Sequence, residues 1–315
     1  MIDKKLSCLN TLRVGHSRGR LAPNKPCLLL AIICEIQSGH ITTPAIAIDD
    51  RLISRYFDLY EATTGQRQSA NPQLPLWHLK SDQGPSGPLW KPRFATNIAP
   101  LEPQLGQPKT ITALRELFTE ALLDPALFKI FQDRQKAYDA SARLVTNYLY
   151  DDQYSQPDIH RYLTSALDSS EYEKHPEKLI GNVREERQQQ ARSAAFRALV
   201  LEAYDYRCAA SRLRYITPDY RYLVEAAHLI PFSESQDDRP TNGLALTPNL
   251  HWAMDNHLIS PGPDHKWHVS PSIDRLVTDN SWLLELDGQS LILPRSVRWQ
   301  PEREALAWRM DHLQR

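Results

Sequence analysis

At 315 residues the chain is long enough for two ordinary domains, each able to bury its own core. Apolar residues at 41% and charged residues at 24% are typical of a soluble globular protein, and a net charge of −1 does not by itself announce a nucleic-acid binder. The longest apolar run, Cys27 to Cys34, is too short to span a membrane, so no membrane partner is expected. Cys8, Cys27, Cys34 and Cys208 lack paired spacing, which argues against a disulfide framework and for a reducing cytoplasm. Met1-Ile2-Asp3-Lys4-Lys5 runs into mixed polar sequence, and no secretory signal is expected there.

Residues 1 to about 105 read as one block. A short helix is followed by the basic segment Gly15-His16-Ser17-Arg18-Gly19-Arg20 and by Ala22-Pro23-Asn24-Lys25-Pro26, which leads into an apolar helix ended by Gly39. Leu52, Ile53, Tyr56, Phe57 and Tyr60 have helical spacing and predict a second helix from Ile48 to Tyr60. A Pro- and Trp-rich stretch, Asn71 to Asp82, precedes a turn at Gly84 to Pro88 and a returning strand at Leu89 to Phe94. Residues 109–150 read as helical, with a break at Asp124-Pro125.

From 151 to 190 polarity rises and the hydrophobic pattern thins, which predicts an interdomain linker. Residues 191–315 then form a second domain. Its expected elements are a helix through Tyr204, strands at Val224 to Ile230 and Gly243 to Leu246, and a helix from Pro248. Short strands at Trp267 to Val269 and Ser290 to Leu293 and a helix from Pro301 complete it.

The densest chemical signal lies in that second domain. Glu225-Ala226-Ala227-His228-Leu229-Ile230-Pro231 is followed by Asn242-Gly243-Leu244-Ala245-Leu246 and by His251-Trp252-Ala253-Met254-Asp255. Phosphodiester hydrolysis needs a base to activate water and a cation to stabilise charge on oxygen, and imidazole titrates near the working pH. Asp255 follows His251 at i, i+4, so on a helix both side chains share one face.

The triplet His228, Asn242 and His251 resembles the HNH nuclease motif of the ββα-metal fold. The resemblance implies His228 as general base, Asn242 as buttress of the loop that aims it, and His251 as metal ligand. A carboxylate at position 255 makes the site harder, suited to Mg²⁺ or Mn²⁺. The family often places a metal ligand directly before the base, where this chain has Ala227; Glu225, on the same strand face, is the candidate substitute. Members braced by a structural zinc use two Cys pairs, whereas here Cys208 stands alone and Thr247 and Leu250 occupy the second pair's places; no structural zinc is expected.

The first block is similar to sulfur-binding domains of type IV restriction endonucleases, which recognise phosphorothioate-modified DNA and carry a C-terminal HNH domain. His16, Arg18, Arg20 and Lys25 would then supply cations and base contacts. Pro72, Pro75, Leu76 and Trp77, with His78 beside them, would form an apolar dimple for sulfur. Burying roughly 30–50 Å² there is worth only about 1 kcal/mol, so base readout must add to it.

Two basic stretches, the first 25 residues and the approach to the motif from Arg192 to Arg221, add phosphate contacts to this reading. The resulting expectation is an α+β chain: a mainly helical DNA reader over 1–150, a linker, and an HNH endonuclease over 191–315. It would cut double-stranded DNA carrying a backbone or base modification; in place of a sulfur mark, a flipped methylated or hydroxymethylated base could sit among Trp77, Trp90, Tyr56 and Tyr60. A DNA-binding regulator with a degenerate HNH fold is the non-enzyme alternative. Cutting two strands with one-blade domains favours a homodimer.

Overall fold

The computed structural model describes residues 5–17, 20–149, 156–183 and 185–315. The chain is α+β and divides into two compact units, Met1–Lys174 and His175–Arg315. None of the described helices is long and apolar enough to cross a membrane.

In the first unit a short hairpin, β1 (His16–Ser17) and β2 (Arg20–Leu21), leads into α1 (Asn24–Gln37). Every residue from Leu28 to Ile33 in α1 is fully buried. A helix apolar on all sides must be surrounded by other elements. Its neighbours are α2 (Asp50–Thr64), α3 (Gln73–His78), α5 (Pro125–Gln132), α6 (Arg134–Leu144) and α7 (Gln156–Lys174), with α4 (Ile111–Leu117) packed on α3. Asp49 caps α2 by accepting from Leu52 N–H, and Gly65, at φ 68°, ends it in the left-handed region.

The helical reading of residues 109–150 is corrected at one place. Glu120–Leu123 is a strand, β7, at the centre of a three-stranded antiparallel sheet between β3 (Ala45–Ala47) and β6 (Trp90–Pro92). β4 (Gln83–Gly84) and β5 (Gly87–Pro88) form the expected turn. Ala121 and Leu123 are buried on alternate positions, and the ladder from both neighbours outweighs the helical spacing of the apolar residues.

The expected linker also resolves differently. Its residues 156–174 form α7, which packs against α1 and α2 within the first unit. Ile159, Leu163, Ala166 and Leu167 are buried at helical spacing, a stripe hidden by the polarity of the stretch around it. An ionic network adds to the docking. Glu35 of α1 accepts from Arg51 Nε at 2.5 Å and Arg55 Nε at 2.8 Å, and Arg51 also binds Glu173 of α7. Burial alone would raise the Glu35 carboxyl, but Arg51 and Arg55 outweigh it and hold it at about 2.

In the second unit, α8 (Glu186–Ala203) packs against the antiparallel pair β8 (Glu225–His228) and β9 (Gly243–Leu246). After the single-turn α9 (Phe232–Ser235), α10 (Pro248–Asp255) lies against β8 and against β10 (Ile259–Pro261), which pairs with β11 (Trp267–Val269). The short α11 (Ser281–Leu284) and the terminal α12 (Arg303–Asp311) follow, and α12 packs on β10. The strand expected at Ser290 to Leu293 reduces to an isolated bridge between Lys266 and Ser290. Gly243 permits the tight fit of α8 on the hairpin, because a Cβ there would stand 2.6 Å from Val200 and 2.8 Å from Phe196.

Glu35→Gln should destabilise the first unit by roughly 3–5 kcal/mol at neutral pH, since it removes the buried charge that two half-buried guanidinium groups share. The native carboxyl is depressed, so its contribution is present above the ordinary carboxylate pKa and is lost as pH falls toward about 2. Urea unfolding at pH 7 and pH 3 should therefore show the gap between wild type and variant narrowing with acid.

Candidate active site

Strand β8 directs its ends to different neighbours. His228 lies against α8, its ring stacked on Phe196 with centroids 3.9 Å apart and planes 9° apart. Its Nε2 meets Asp238 Oδ1 at 3.0 Å. Asp238 is buried, and its second oxygen lies 3.5 Å from the guanidinium of Arg192, itself buried and donating to Gly181 O at 2.6 Å. Arg192 was expected to contact phosphate; its burial assigns it to this support. Among the described residues no partner engages His228 Nδ1, and the imidazole is about one quarter exposed.

The loop after the base is stapled by Asn242, which is buried. Its Oδ1 accepts from Ile230 N–H at 2.9 Å, and its Nδ2 donates to Ile230 O and Asp237 O, each at 3.0 Å. An amide carries a donor and an acceptor on one short arm, so it can satisfy both backbone groups of one residue; neither a carboxylate nor an alkyl group can.

On α10, His251 stands between two carboxylates. Its Nδ1 meets Glu225 Oε2 at 3.0 Å and its Nε2 meets Asp255 Oδ2 at 3.3 Å. A neutral imidazole has one N–H and cannot donate to both. A cation shared by Nε2 and Asp255 would satisfy the remaining pair. Cis ligands on an octahedral Mg²⁺ at about 2.1 Å stand roughly 3 Å apart, close to the observed separation. Such an ion takes one or two protein ligands and completes its shell with water and substrate phosphate. Among the described residues, no group of three or more His, Cys, Asp or Glu surrounds one cation position. Glu225, the candidate ligand on β8, meets the ring nitrogen opposite Nε2, a place from which a carboxylate can fix the tautomer of a histidine.

Residues 208–260 match a family model described as HNH endonuclease. This segment is an HNH endonuclease domain. A solved structure described as a modification dependent TagI restriction endonuclease is similar at 19% identity, over 38% of this chain and 38% of that one, with a TM-score of 0.29. The chain thus spans well under half of that structure's length. No curated protein matches the chain.

Within the HNH domain Cys208 is buried in the apolar core, as are Thr247 and Leu250. Trp252, next to His251, is 63% exposed. Three residues that shape the site escaped the motif: Asp238, Arg192 and Arg309. Asp238 lies ten residues after His228 with no fixed spacing to announce it, and Arg309 lies beyond the matched segment.

The first unit corrects several expected DNA contacts. Lys25 is buried and paired with Asp82 at 2.5 Å. Pro72, Pro75 and Trp77 are buried, Trp77 beneath Lys80, whose ammonium lies 3.7 Å from the ring centroid. These side chains pack α3 against its surroundings and do not form an open dimple. His78 is exposed, with Nε2 at 2.8 Å from Gln107 Oε1, and Leu74 is half-buried beside it. His16 is exposed on β1 and Arg20 sits on β2; Arg18 lies outside the described residues. Trp90 and Tyr56 are fully buried and Tyr60 nearly so, and they line no open base pocket.

Asn242→Ala removes the side-chain hydrogen bonds to Ile230 and Asp237 and leaves Ile230 N–H without its acceptor, which should cost about 3 kcal/mol. Asn242→Asp should cost as much, because it sets a carboxylate against two carbonyl oxygens. Chemical denaturation monitored in the second unit checks both.

Proposed function

We propose that this protein is a modification-dependent restriction endonuclease in which the first unit reads phosphorothioate-modified double-stranded DNA and the HNH domain cuts it. The observation that carries the proposal is the pairing, within the HNH domain, of an oriented imidazole, His228 on Asp238, with a histidine flanked by two carboxylates, His251 between Glu225 and Asp255.

His251 and Asp255 would hold the divalent ion, Mg²⁺ or Mn²⁺, and Glu225 would fix the His251 ring. When bound, the ion supplies positive charge at the phosphoryl and leaving oxygens. His228 takes the proton from the attacking water on Nδ1, while Asp238 holds Nε2–H and stabilises the imidazolium that results. Stacking on Phe196 prevents the ring from swinging away. Asn242 keeps the loop carrying Asp238 in register with the strand carrying His228.

For the reader, the resemblance of the first block and the order of the two domains support phosphorothioate as the mark. With Pro75 and Trp77 buried, the contact surface would be the exposed side of α3, where Leu74 offers apolar surface and His78 a ring nitrogen. The methylated-base alternative would require Trp77, Trp90, Tyr56 or Tyr60, all of which are buried, to open to a flipped base. Two copies of the chain, related by a two-fold axis, would place one blade on each strand.

Matched duplexes, unmodified, phosphorothioated or cytosine-methylated, separate binding from cleavage when assayed with and without Mn²⁺. Tighter binding and metal-dependent cutting of the phosphorothioated duplex is the expected result. Preference for the methylated duplex, or binding without cutting under any metal, overturns the proposal.

His228→Ala should lower kcat by roughly 10²–10⁴-fold while binding of modified DNA persists. Asp238→Asn should lower it about 10- to 100-fold, as loss of an orienting partner does. Single-turnover cleavage and gel-shift titration of each variant report the two quantities separately.

A further inference from the structure

We infer that Arg309, on the terminal helix α12, is a positioning residue that locks the general-base strand and the metal-ligand helix into one rigid arrangement. The inference rests on the nuclease reading above and extends it to a residue outside the matched segment.

The guanidinium of Arg309 is 1% exposed. Nε donates to Leu229 O at 2.6 Å, Nη2 to His228 O at 2.8 Å and Nη1 to Met254 O at 3.1 Å. Those carbonyls belong to the peptide units 228–229, 229–230 and 254–255. The first holds the backbone of His228, and the last holds the backbone of Asp255. One planar group therefore grips the main chain of the proposed base and that of the proposed metal carboxylate, with its donor directions fixed by resonance.

The grip falls where each element ends. Leu229 follows the last residue of β8, and its N–H bonds to Asn242 O at 2.8 Å. Met254 lies in the last turn of α10, where its carbonyl also accepts from His257 N–H at 3.0 Å and a cation meets the negative end of the helix dipole. Arg309 thus adds a donor at the helix end and supplies donors to the His228 and Leu229 carbonyls at the strand end.

A buried cation is a costly way to fill space, and burial pushes the Arg309 guanidinium below its ordinary pKa, an effect that Asp255 and Glu234 partly offset. Its nearest carboxylate, Asp255 Oδ1, lies 3.9 Å away and is half exposed. The carbonyl dipoles are its principal partners. An apolar side chain could fill the volume but could not set the angle between β8 and α10. The distinctive consequence of the guanidinium is geometric: it couples the aim of His228 to the position of Asp255.

The test uses the full chain with Arg309→Lys and Arg309→Ala, and Leu306→Ala as a control that loosens α12 without touching the guanidinium. In metal-free protein, amide exchange at Ile230 and at Asp255 to His257 should accelerate in both Arg309 variants, while exchange in α8 stays as in wild type. In cleavage, Arg309→Lys should lose about 10- to 100-fold in kcat with DNA affinity within about twofold, and its half-saturating Mn²⁺ should rise. Millimolar guanidinium should restore part of the activity of Arg309→Ala but not of Leu306→Ala.

Wild-type exchange at those amides in Arg309→Lys, or wild-type kcat and Mn²⁺ dependence below its melting temperature, would overturn the inference. Failure of both Arg309 variants to fold in the cold would assign the residue to the fold alone and equally overturn it. A wild-type chain that cuts no duplex refutes the nuclease reading, whereas the exchange pattern in metal-free protein reports on the grip of Arg309 independently.

Discussion

The close approach of α8 to the β8–β9 hairpin at Gly243 is the constraint on which the site depends. With no side chain at position 243, the ring of Phe196 can lie against the hairpin where any Cβ would collide with it. His228 is paired with Gly243 across the ladder, and its imidazole rests on the same Phe196 ring. A slip of one residue would bring Leu244 opposite the base and reverse the faces of every side chain on the strand. The packing contact that seals the core therefore also sets the plane of the imidazole.

The two units use charge in a shared way, by burying cations against specific partners. Lys25 meets Asp82, Arg51 and Arg55 meet Glu35, Arg192 meets Asp238, and Arg309 meets three carbonyls. Breaking any of these leaves an unpaired buried charge, which is more damaging than the net worth of the pair suggests. It also changes what the basic stretches of the sequence mean. Among the cations of the two basic stretches, Lys25 and Arg192 are internal and engaged with Asp82 and Asp238.

The HNH motif was legible because its residues sit close in sequence on a hairpin and the helix that follows, and the i, i+4 relation of His251 and Asp255 needs only a helix to hold. The apolar helix at Cys27 to Cys34 was legible for a similar reason: its composition alone demands burial. Strand β7 was not, because Phe118, Ala121 and Leu122 fit a helical stripe and only their ladder partners, distant in sequence, decide otherwise. Helix α7 was hidden by its exposed polar face. Pro72 to Trp77 read as a surface device through their resemblance to sulfur-binding domains, yet Pro72, Pro75 and Trp77 are buried in the first unit. Asp238 and Arg309 belong to the site through folding alone, and nothing local to either residue marks it.

What emerges is a separation between groups that would meet the substrate and groups that hold them. Glu225 and Asp255 are half exposed and His228 and His251 about one quarter exposed. Asp238, Asn242 and Arg309 are buried and engage the backbone or ring behind each of them. Solvent-facing groups can exchange water for phosphate or cation without disturbing the core. Buried groups cannot move without disturbing it, because their hydrogen bonds run to the main chain or to the ring they hold. Rigidity is thus placed behind the reacting atoms and adaptability in front of them, and the aim of His228 becomes a property of the folded core.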